Sequence, residues 1–501
     1  MKKIRYEVIV FVCGALSMAL ELVAARIFSP YVGSSNLIWT VIIGMILIFM
    51  SIGYYVGGKL ADKKQDVDIL RFLLYVSMIY ISVIPVLEVL ILEPFAGIGL
   101  PLVLTAIIMS VLLFGFPSFV FVFVSPFSVK LKQIECDNNK DKIGEISGKM
   151  SAYSTIGSIL GTFVTGFWLI PTIGTRGLNL LITILLVGLL IFLEDEFNSK
   201  RVLKNIISFL LVICLFVLGN FVYKTAHPEV IRDVDSEYSR IQVKQYVNKY
   251  TGEKVKALEV GNIGTESLKY EETGTIGDYL YYYDLVEYYL KNDNTIDNPS
   301  NTNILMIGGA AYTYPTYFYG KEENKNVKMD VVEIDEVMTK LAVQEFDLDL
   351  SNKSLDVIHQ DGRSYINYTD EKYDAILVDA FKGASVPFEL TTCEAAQKMY
   401  NILNENGLVI TNVLASLEGK ESDFLKYEYS TYKKVFDDVK VFYVDTDNKE
   451  DFQNVILIGI KGKVNIDEAK ESVYENLLKT EVVGYTSDKD IVTDNLAQIG
   501  D

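Results

Sequence analysis

Four successive strand-like segments in the carboxy-terminal half of the chain end in residues that could do chemistry. Each segment is short and apolar, and each stops at glycine or at a carboxylate. At the four ends stand Gly308-Gly309, Glu333, Asp361-Gly362 and Asp379. An open parallel sheet binds its ligand at the carboxyl ends of its strands, so these residues predict one nucleotide-binding crevice.

The spacing within this set favours a nucleoside ligand. Glu333 follows Gly308 by 25 positions, which is near the spacing at which an acidic residue binds ribose hydroxyls in nucleotide-binding βαβ units. Gly308 and Gly309 would let the backbone approach the ligand closely. Asp361, followed by Gly362, could accept a hydrogen bond from an adenine amino group, and a simple turn is the alternative interpretation.

Asp379 ends the apolar strand Ala375–Val378 at the mouth of the same crevice. A carboxylate there could orient and deprotonate an amine nucleophile, or stabilise a nearby sulfonium or ammonium by its charge. Each of the four strand ends could be structural when taken alone. Their occurrence on four consecutive strands favours a functional site.

The elements that must position these residues are an alternation of strands and helices. Strands are predicted near residues 304–307, 327–333, 354–358, 373–378, 407–413, 439–443 and 454–460, with helices at 336–346, 391–404 and 423–435. This alternation predicts a doubly wound α/β sheet of the Rossmann type. Ahead of it, residues 238–247 and 253–260 predict a β-hairpin, and residues 278–291 predict a helix.

The amino-terminal part of the chain is apolar enough to lie in a lipid bilayer. Seven stretches are long enough, or nearly so, to span a membrane as helices. They lie near residues 7–28, 37–58, 72–92, 102–125, 151–170, 178–193 and 205–223. We therefore predict three domains: a transmembrane helical domain over 1–223, a β-rich region over 224–300, and a Rossmann-type catalytic domain over 301–501.

Charge separates these domains and suggests an orientation. Residues 224–501 carry 29 Lys and Arg against 51 Asp and Glu, a net −22 that argues against nucleic acid as a partner. Fifteen Lys and Arg fall at the amino terminus and in the loops on its side of a seven-span protein, against only Arg26 and Arg176 opposite. The positive-inside rule then places the amino terminus in the cytoplasm of a multi-pass cell-membrane protein. An odd span count favours an extracytoplasmic carboxy-terminal domain, and one miscounted span would reverse that side.

Metal and thiol chemistry find little support in the sequence. Four cysteines show no paired spacing, and the chain has only two histidines, His227 and His359. Neither a disulfide framework nor a zinc site is therefore predicted.

Several motifs together resemble the spermidine synthase (polyamine aminopropyltransferase) family. They are Ile-Gly-Gly at 307–309, Val-Val-Glu-Ile-Asp at 331–335, His-Gln-Asp-Gly-Arg-Ser-Tyr-Ile at 359–366, Tyr-Asp-Ala-Ile-Leu-Val-Asp-Ala-Phe at 373–381, and Pro387 followed by Leu390-Thr391-Thr392. Residues 236–241 resemble the family's amino-terminal β-region. The apolar part is similar to that of membrane-fused spermidine synthase-like proteins.

This resemblance implies a class I methyltransferase-like sheet that binds S-adenosylmethionine or its decarboxylated form as co-substrate, with no prosthetic group. Glu333 would bind the ribose, and Asp361 and Gly362 would bind the adenine. The backbone at Gly308 and Gly309 would run close beside the nucleoside. Asp379 would be catalytic, and Tyr238 and Tyr282 would contact the substrate. The expected reaction transfers an aminopropyl-type group to an amine and releases methylthioadenosine.

Departures from the family pattern leave other functions open. Members that use putrescine carry an acidic residue where this chain has Ala311 and a Gln where it has Ser239. An intramolecular, lyase-like release of methylthioadenosine and a methyl transfer are alternative reactions. From another class, the chain could be a transporter with a non-catalytic domain that senses nucleoside or polyamine. The acceptor, a polyamine or another amine, and assembly into a homo-oligomer also stay open.

Overall fold

The structure, a computed structural model, describes residues 4–33, 35–98, 100–136, 143–194, 199–261, 265–292, 302–381, 386–463 and 472–495. The chain divides into two compact units. The first comprises Met1–Gln242 with Val260–Gly264, and the second comprises Val243–Glu259 with Thr265–Asp501. The predicted domain boundary at residues 300 and 301 lies outside the described residues.

The first unit is built mainly from long helices. They are α1 (Arg5–Val32), α2 (Asn36–Lys63), α3 (Val67–Leu87), α4 (Glu93–Gly97), α5 (Leu102–Ser110), α6 (Phe116–Glu135), α7 (Ile143–Val164), α8 (Ile170–Phe192) and α9 (Ser199–Ala226). Short π-helical turns join α3 to α4, α5 to α6 and α7 to α8. Within the described residues, six helical runs are long and apolar enough to cross a membrane.

One of these runs contains two predicted spans. The run Ile143–Phe192 is 50 residues long, whereas a spanning helix needs about 20 residues. Its backbone leaves the helical region at Gly174, where φ is 68° and ψ is 172°. The predicted spans at 151–170 and 178–193 lie on either side of this break, so the six runs accommodate the seven predicted spans.

Small residues allow α1 and α7 to pack backbone against backbone. A Cβ atom on Gly157 would lie 2.0 Å from the Phe11 carbonyl oxygen, and one on Gly161 would lie 2.5 Å from that of Ala15. The Ser158 hydroxyl donates to the Gly14 carbonyl at 3.2 Å. Such close approach provides dispersion contacts and polar bonds where lipid offers no hydrophobic driving force.

A four-stranded sheet follows the helices. Its strands are β1 (Val230–Asp235), β2 (Arg240–Val247), β3 (Lys254–Val260) and β4 (Thr265–Tyr270), hydrogen-bonded in that order. Strands β2 and β3 correspond to the predicted hairpin. β3 and β4 pair antiparallel, with Leu258 opposite Ser267. The boundary between the two compact units falls inside β2, after Gln242.

The second unit contains a seven-stranded sheet made of β5 (Asn303–Ile307), β6 (Lys328–Val332), β7 (Leu355–Ile358), β8 (Tyr373–Val378), β9 (Leu403–Ala415), β10 (Asp438–Tyr443) and β11 (Gln453–Ile460). The order is β10-β11-β9-β8-β5-β6-β7. Pairing is parallel from β9 to β7, and β11 runs antiparallel to both neighbours. All seven strands lie where the sequence predicts them, and the order is that of a class I methyltransferase-like sheet.

Helices cover both faces of this sheet. They are α10 (Leu285–Asn292), α11 (Thr313–Gly320), α12 (Glu336–Glu345), α13 (Gly362–Tyr368), α14 (Phe388–Thr391), α15 (Cys393–Ile402), α16 (Asp423–Val435) and α17 (Ser472–Leu478). Strand side chains alternate between two apolar cores, one with Ile304 and Met306, the other with Leu305 and Ile307. The helix predicted over 278–291 begins instead as a tight 3₁₀ helix, Asp278–Asp284.

Candidate active site

The ends of four adjacent parallel strands are joined by main-chain hydrogen bonds. The Asp379 N–H donates to the Ile307 carbonyl at 2.8 Å, and the Gly308 N–H donates to that of Val332 at 2.9 Å. The Glu333 N–H donates to Ile358 at 3.0 Å. Residues far apart in the sequence are thereby held at one edge of the sheet.

Gly308 occupies a position that no other residue could fill without displacement of the backbone. Its φ is 92°, and a Cβ atom there would lie 2.3 Å from the Asp379 carbonyl oxygen. The first glycine of the turn therefore permits direct contact between the ends of β5 and β8. Positive φ recurs at Ala310 (44°) and Tyr312 (53°), which is unusual for residues with a side chain.

Glu333 is buried beneath this strained turn. One carboxylate oxygen, Oε2, accepts the N–H groups of Gly309 at 2.8 Å and Ala310 at 3.1 Å. The other, Oε1, accepts the Asp335 N–H at 2.8 Å. Burial raises the pKa of Glu333, and the backbone hydrogen bonds oppose that shift. Because a carboxylate already fills the cradle of N–H groups, the turn suits a ligand that presents hydroxyl groups rather than phosphate.

Asp361 is exposed and begins helix α13, where its Oδ1 accepts the Ser364 N–H at 2.8 Å. Next to it, a Cβ atom on Gly362 would lie 2.6 Å from Cγ2 of Ile307, so this turn approaches the end of β5. The structure thus places Asp361 on the rim of the strand-end cluster, with one oxygen used as a helix cap.

The start of α13 is also anchored by the tail of the chain. Arg363 forms a 2.7 Å ion pair with Asp494, and the Asp494 carboxylate accepts the Thr392 hydroxyl at 2.7 Å. Two residues earlier, the Val492 carbonyl accepts the Cys393 N–H at 2.7 Å. Residues 492–494 therefore hold α13 and α15 together.

Asp379 is partly buried and receives hydrogen bonds at both carboxylate oxygens. The Tyr279 hydroxyl donates to Oδ2 at 3.2 Å, and the Asn412 amide donates to Oδ1 at 3.2 Å. Burial raises the pKa of Asp379 to about 6, while Asn412 and the hydroxyls of Tyr283 and Tyr279 oppose this rise. At neutral pH, Asp379 would therefore be ionised in most molecules and able to accept a proton.

Glu266, on strand β4, is a second carboxyl in this cluster. Burial raises its pKa to about 8, and the negative charges of Asp379 and Glu333 add to the rise. The neighbouring Ser267 hydroxyl accepts the Ala311 N–H at 3.3 Å, which places β4 against the glycine turn. Among the described residues, neither Glu266 nor Asp379 forms an ion pair with Lys or Arg.

The two predicted substrate-binding tyrosines differ in their surroundings. Tyr282 is 3% exposed, and its hydroxyl donates to the Tyr443 carbonyl at 2.8 Å beside the Thr480 hydroxyl. Tyr238 belongs to the first compact unit and is half exposed. A role for either in substrate binding stays a prediction.

The sequence analysis did not identify three residues that contact Asp379 or interact with it electrostatically. They are Glu266, Tyr279 and Asn412. Tyr279 and Asn412 are hydrogen-bonded to Asp379, and Glu266 is electrostatically coupled to it. The tyrosine-rich stretch was the available signal, since a 3₁₀ helix can present one of its tyrosines to the sheet. Within the described ranges, no group of three or more His, Cys, Asp or Glu is placed to hold a metal ion.

Fold and site together define a class I methyltransferase-like sheet whose strand ends carry a cluster of acidic side chains. Comparison with known families gives the narrower assignment. Residues 290–457 match the family described as Spermine/spermidine synthase domain.

Relatives of known name agree with this assignment over part of the chain. A polyamine aminopropyltransferase from Vibrio vulnificus is 32% identical over 143 residues, which cover 28% of this chain and 45% of that protein. A probable polyamine aminopropyl transferase from Bifidobacterium longum is 28% identical over 159 residues, 32% of this chain and 33% of that protein. The chain thus spans less than half the length of these two relatives.

Two solved structures align with about half of this chain. A probable spermidine synthase from Corynebacterium glutamicum aligns with a TM-score of 0.42 and 19% identity, over 52% of this chain and 97% of that one. A spermidine synthase in complex with the transition-state analogue AdoDATO aligns with a TM-score of 0.40 and 16% identity, over 50% of this chain and 84% of that one.

Proposed function

We propose that the chain is a membrane-integral aminopropyltransferase-type enzyme. It would act on S-adenosylmethionine or its decarboxylated form and transfer an aminopropyl-type group to an amine. The observation that carries this proposal is the pairing of a spermine/spermidine synthase domain with two partly buried carboxyls, Asp379 and Glu266, that have no cationic partner among the described residues.

The charges of both substrates complement this cluster. The sulfonium group of one and the ammonium group of the other are cations, and uncompensated carboxyls in a partly buried site favour cations strongly. Asn412 adds an acceptor, because its Oδ1 atom is buried and has no hydrogen-bond partner among the described residues. Where the family's usual acid is replaced by Ala311, Glu266 supplies a carboxyl from β4, a strand of the other sheet that contacts Ala311 through Ser267.

The reaction follows from this arrangement. Asp379, ionised above pH 6, accepts a proton from the ammonium of the acceptor. The freed nitrogen lone pair then attacks the methylene carbon bound to sulfur. A C–N bond forms, the C–S bond breaks, and sulfur keeps its electron pair as neutral methylthioadenosine leaves. Glu333 and the glycine turn would hold the nucleoside so that carbon and nitrogen meet in line.

The decisive experiment identifies the products of the purified full-length protein. It is incubated with each sulfonium substrate, with and without putrescine or spermidine, and the mixture is analysed by mass spectrometry. Methylthioadenosine that appears only with an amine, together with an enlarged amine, supports the transfer. Methylthioadenosine formed without amine would establish the lyase reaction instead, and S-adenosylhomocysteine would establish methyl transfer. Binding without any product would favour a sensor.

We also propose that the amino terminus is cytoplasmic and that the synthase domain lies on the opposite side of the membrane. The excess of Lys and Arg on one set of loops supports the first point, and an odd number of spans supports the second. In a variant without the four native cysteines, Lys249→Cys places a thiol at an exposed position. This thiol should react with an impermeant reagent outside intact cells. Lys64→Cys, after α2, should react only after permeabilisation, and the reverse pattern would overturn the orientation.

A further inference from the structure

A second polar cavity lies within the first compact unit, far in sequence from the candidate active site. It has a volume of about 400 Å³, which is within the range of small-molecule sites. Its polar lining comes from the turn after α3, the break in α8, the end of α9 and strands β1 and β2. Apolar residues such as Ile27, Pro85 and Ile173 complete the wall.

The break in α8 creates one side of this cavity. Beyond Gly174 the helix resumes at Thr175, whose N–H donates to Oδ2 of Asp235 at 2.7 Å. Asp235 on β1 therefore caps the second half of α8 from outside the helix. The cap uses one carboxylate oxygen and leaves the other available.

Three oxygen atoms on the lining are buried and have no hydrogen-bond partner among the described residues. They are Oδ1 of Asp235, Oδ1 of Asn179 and Oγ1 of Thr175, on side chains that are 8%, 3% and 3% exposed. Thr175 and Asn179 are four residues apart on one helix face. The Asn179 amide group donates to the Ile81 carbonyl at 3.0 Å, which directs Oδ1 away from that bond. Unsatisfied buried acceptors are costly, so a ligand with several donors is expected.

The carboxylates of Glu88 and Asp233 on the same wall already have cationic partners. Arg240 contacts Glu88 at 3.0 Å and Asp233 at 2.8 Å. Arg176 contacts Asp233 at 3.3 Å and lies 3.5 Å from the ring centre of Tyr223. Glu88 and Asp233 are therefore neutralised, and Asp235 is the lining carboxylate that keeps an open oxygen.

We propose that this cavity binds a small primary amine whose ammonium group is held by Asp235, Asn179 and Thr175. An alkylammonium carries three N–H donors, which matches the three open oxygens, and its carbon chain would lie against the apolar wall. A volume of about 400 Å³ is much larger than a bare alkali ion needs. Asp235, Asn179 and Thr175 all belong to the first unit, and none of them is part of the candidate active site.

Binding is tested by calorimetry on the full-length protein in detergent, with butylamine as the probe and butanol as its uncharged counterpart. The double substitution Asp379→Asn with Glu266→Gln removes amine binding at the candidate active site and serves as the background. Butylamine should still bind, and butanol should not. The amine affinity should fall at least tenfold in Asp235→Asn and about three- to tenfold in Thr175→Val.

Thr172→Val is the matched control, because the Thr172 hydroxyl also lies on the cavity wall but donates to the Trp168 carbonyl at 2.6 Å. It should leave amine affinity unchanged. If Asp235→Asn fails to fold, Thr175→Val and Asn179→Leu carry the test. The proposal is overturned if no amine binds in this background, if the Thr175 and Asn179 variants bind as well as their parent, or if sodium or potassium binds and amine does not compete. None of these outcomes depends on whether the protein turns over a sulfonium substrate.

Discussion

Two buried clusters of charge in this protein are built in opposite ways. Around Arg240 in the first unit, Glu88 and Asp233 are both in ion pairs. Burial alone would raise the pKa of Asp233, but the hydrogen bond and charge of Arg240, with the charge of Arg176, lower it to about 2. In the second unit, burial raises the pKa of Asp379 to about 6 and that of Glu266 to about 8.

The difference separates a structural cluster from one that is prepared for a ligand. Buried ions without partners destabilise a folded protein, whereas paired ones are tolerated. A site that keeps uncompensated carboxyls therefore gains most when a cation binds. The following predictions test this contrast, beginning with the largest expected effect.

Asp379→Asn should reduce the rate of methylthioadenosine formation about 10³-fold, because it removes the proton acceptor while keeping the shape of the side chain. Nucleoside affinity, measured by calorimetry, should change little, since Glu333 and the glycine turn are untouched. Asp356→Asn, an exposed position on β7, is the control and should retain full activity. Equal rates for Asp379→Asn and the wild type would exclude Asp379 from the reaction.

Arg240→Met should destabilise the protein by about 3–5 kcal/mol, because Glu88 would be left buried without a cation and Asp233 would keep only Arg176 as a partner. The Arg240 and Glu88 side chains are only 4% and 3% exposed, so solvent cannot replace the lost partner. Scanning calorimetry of the full-length protein in detergent gives the shift in unfolding temperature. Lys249→Met, at an exposed turn, should leave the unfolding temperature unchanged. A similar loss of stability in this variant would contradict the structural role of the ion pairs around Arg240.

Glu266→Gln should stabilise the ligand-free protein, which is the opposite of the effect expected for Arg240→Met. A carboxyl whose pKa is raised to about 8 on folding is most compatible with folding when protonated, so its contribution to stability is lost as pH rises through about 8. The Gln variant does not suffer this loss. Its advantage over the wild type should grow from pH 5 to pH 9 and reach about 1–3 kcal/mol, measured by calorimetry across that range. A constant difference would mean that Glu266 is not the titrating group.

Tyr279→Phe should have the smallest effect, on the pH dependence of activity. In the wild type, kcat/KM should rise as pH increases through about 6, where Asp379 loses its proton. The Tyr279 hydroxyl lowers the pKa of Asp379, so its removal should move this rise to higher pH by less than about one unit. Tyr281→Phe, whose hydroxyl accepts the Ile276 N–H, should leave the profile in place. An unchanged pH profile of kcat/KM in Tyr279→Phe would show that this hydroxyl does not influence the ionisation of Asp379.

The sequence was a good guide to the sheet and to the part of the site carried on it. Short apolar segments located all seven strands, and Gly308, Glu333 and Asp379 meet because the carboxyl ends of parallel neighbours must share one edge. Glu266 and Tyr279 could not be found in this way. They reach Asp379 from a hairpin and a 3₁₀ helix, whose placement depends on long-range packing rather than on local pattern.

The first unit shows the same division. Apolar stretches gave the spans, and the close packing of α1 on α7 follows from small residues that are visible in the sequence. By contrast, Asp233 and Asp235 look like ordinary charges in a surface strand. Only the folded backbone shows that the first pairs with Arg240 and the second caps the helix after Gly174.

The contact of residues 492–494 with α13 and α15 limits where this protein can be truncated or labelled. We predict that a version ending before Val492 would lose the Arg363–Asp494 ion pair and the main-chain bond to Cys393, and would loosen the turn that carries Asp361. Faster hydrogen exchange over Gly362–Tyr368 would reveal this, and unchanged exchange would refute it. A purification label is therefore expected to disturb this turn less at the amino terminus than next to residues 492–494.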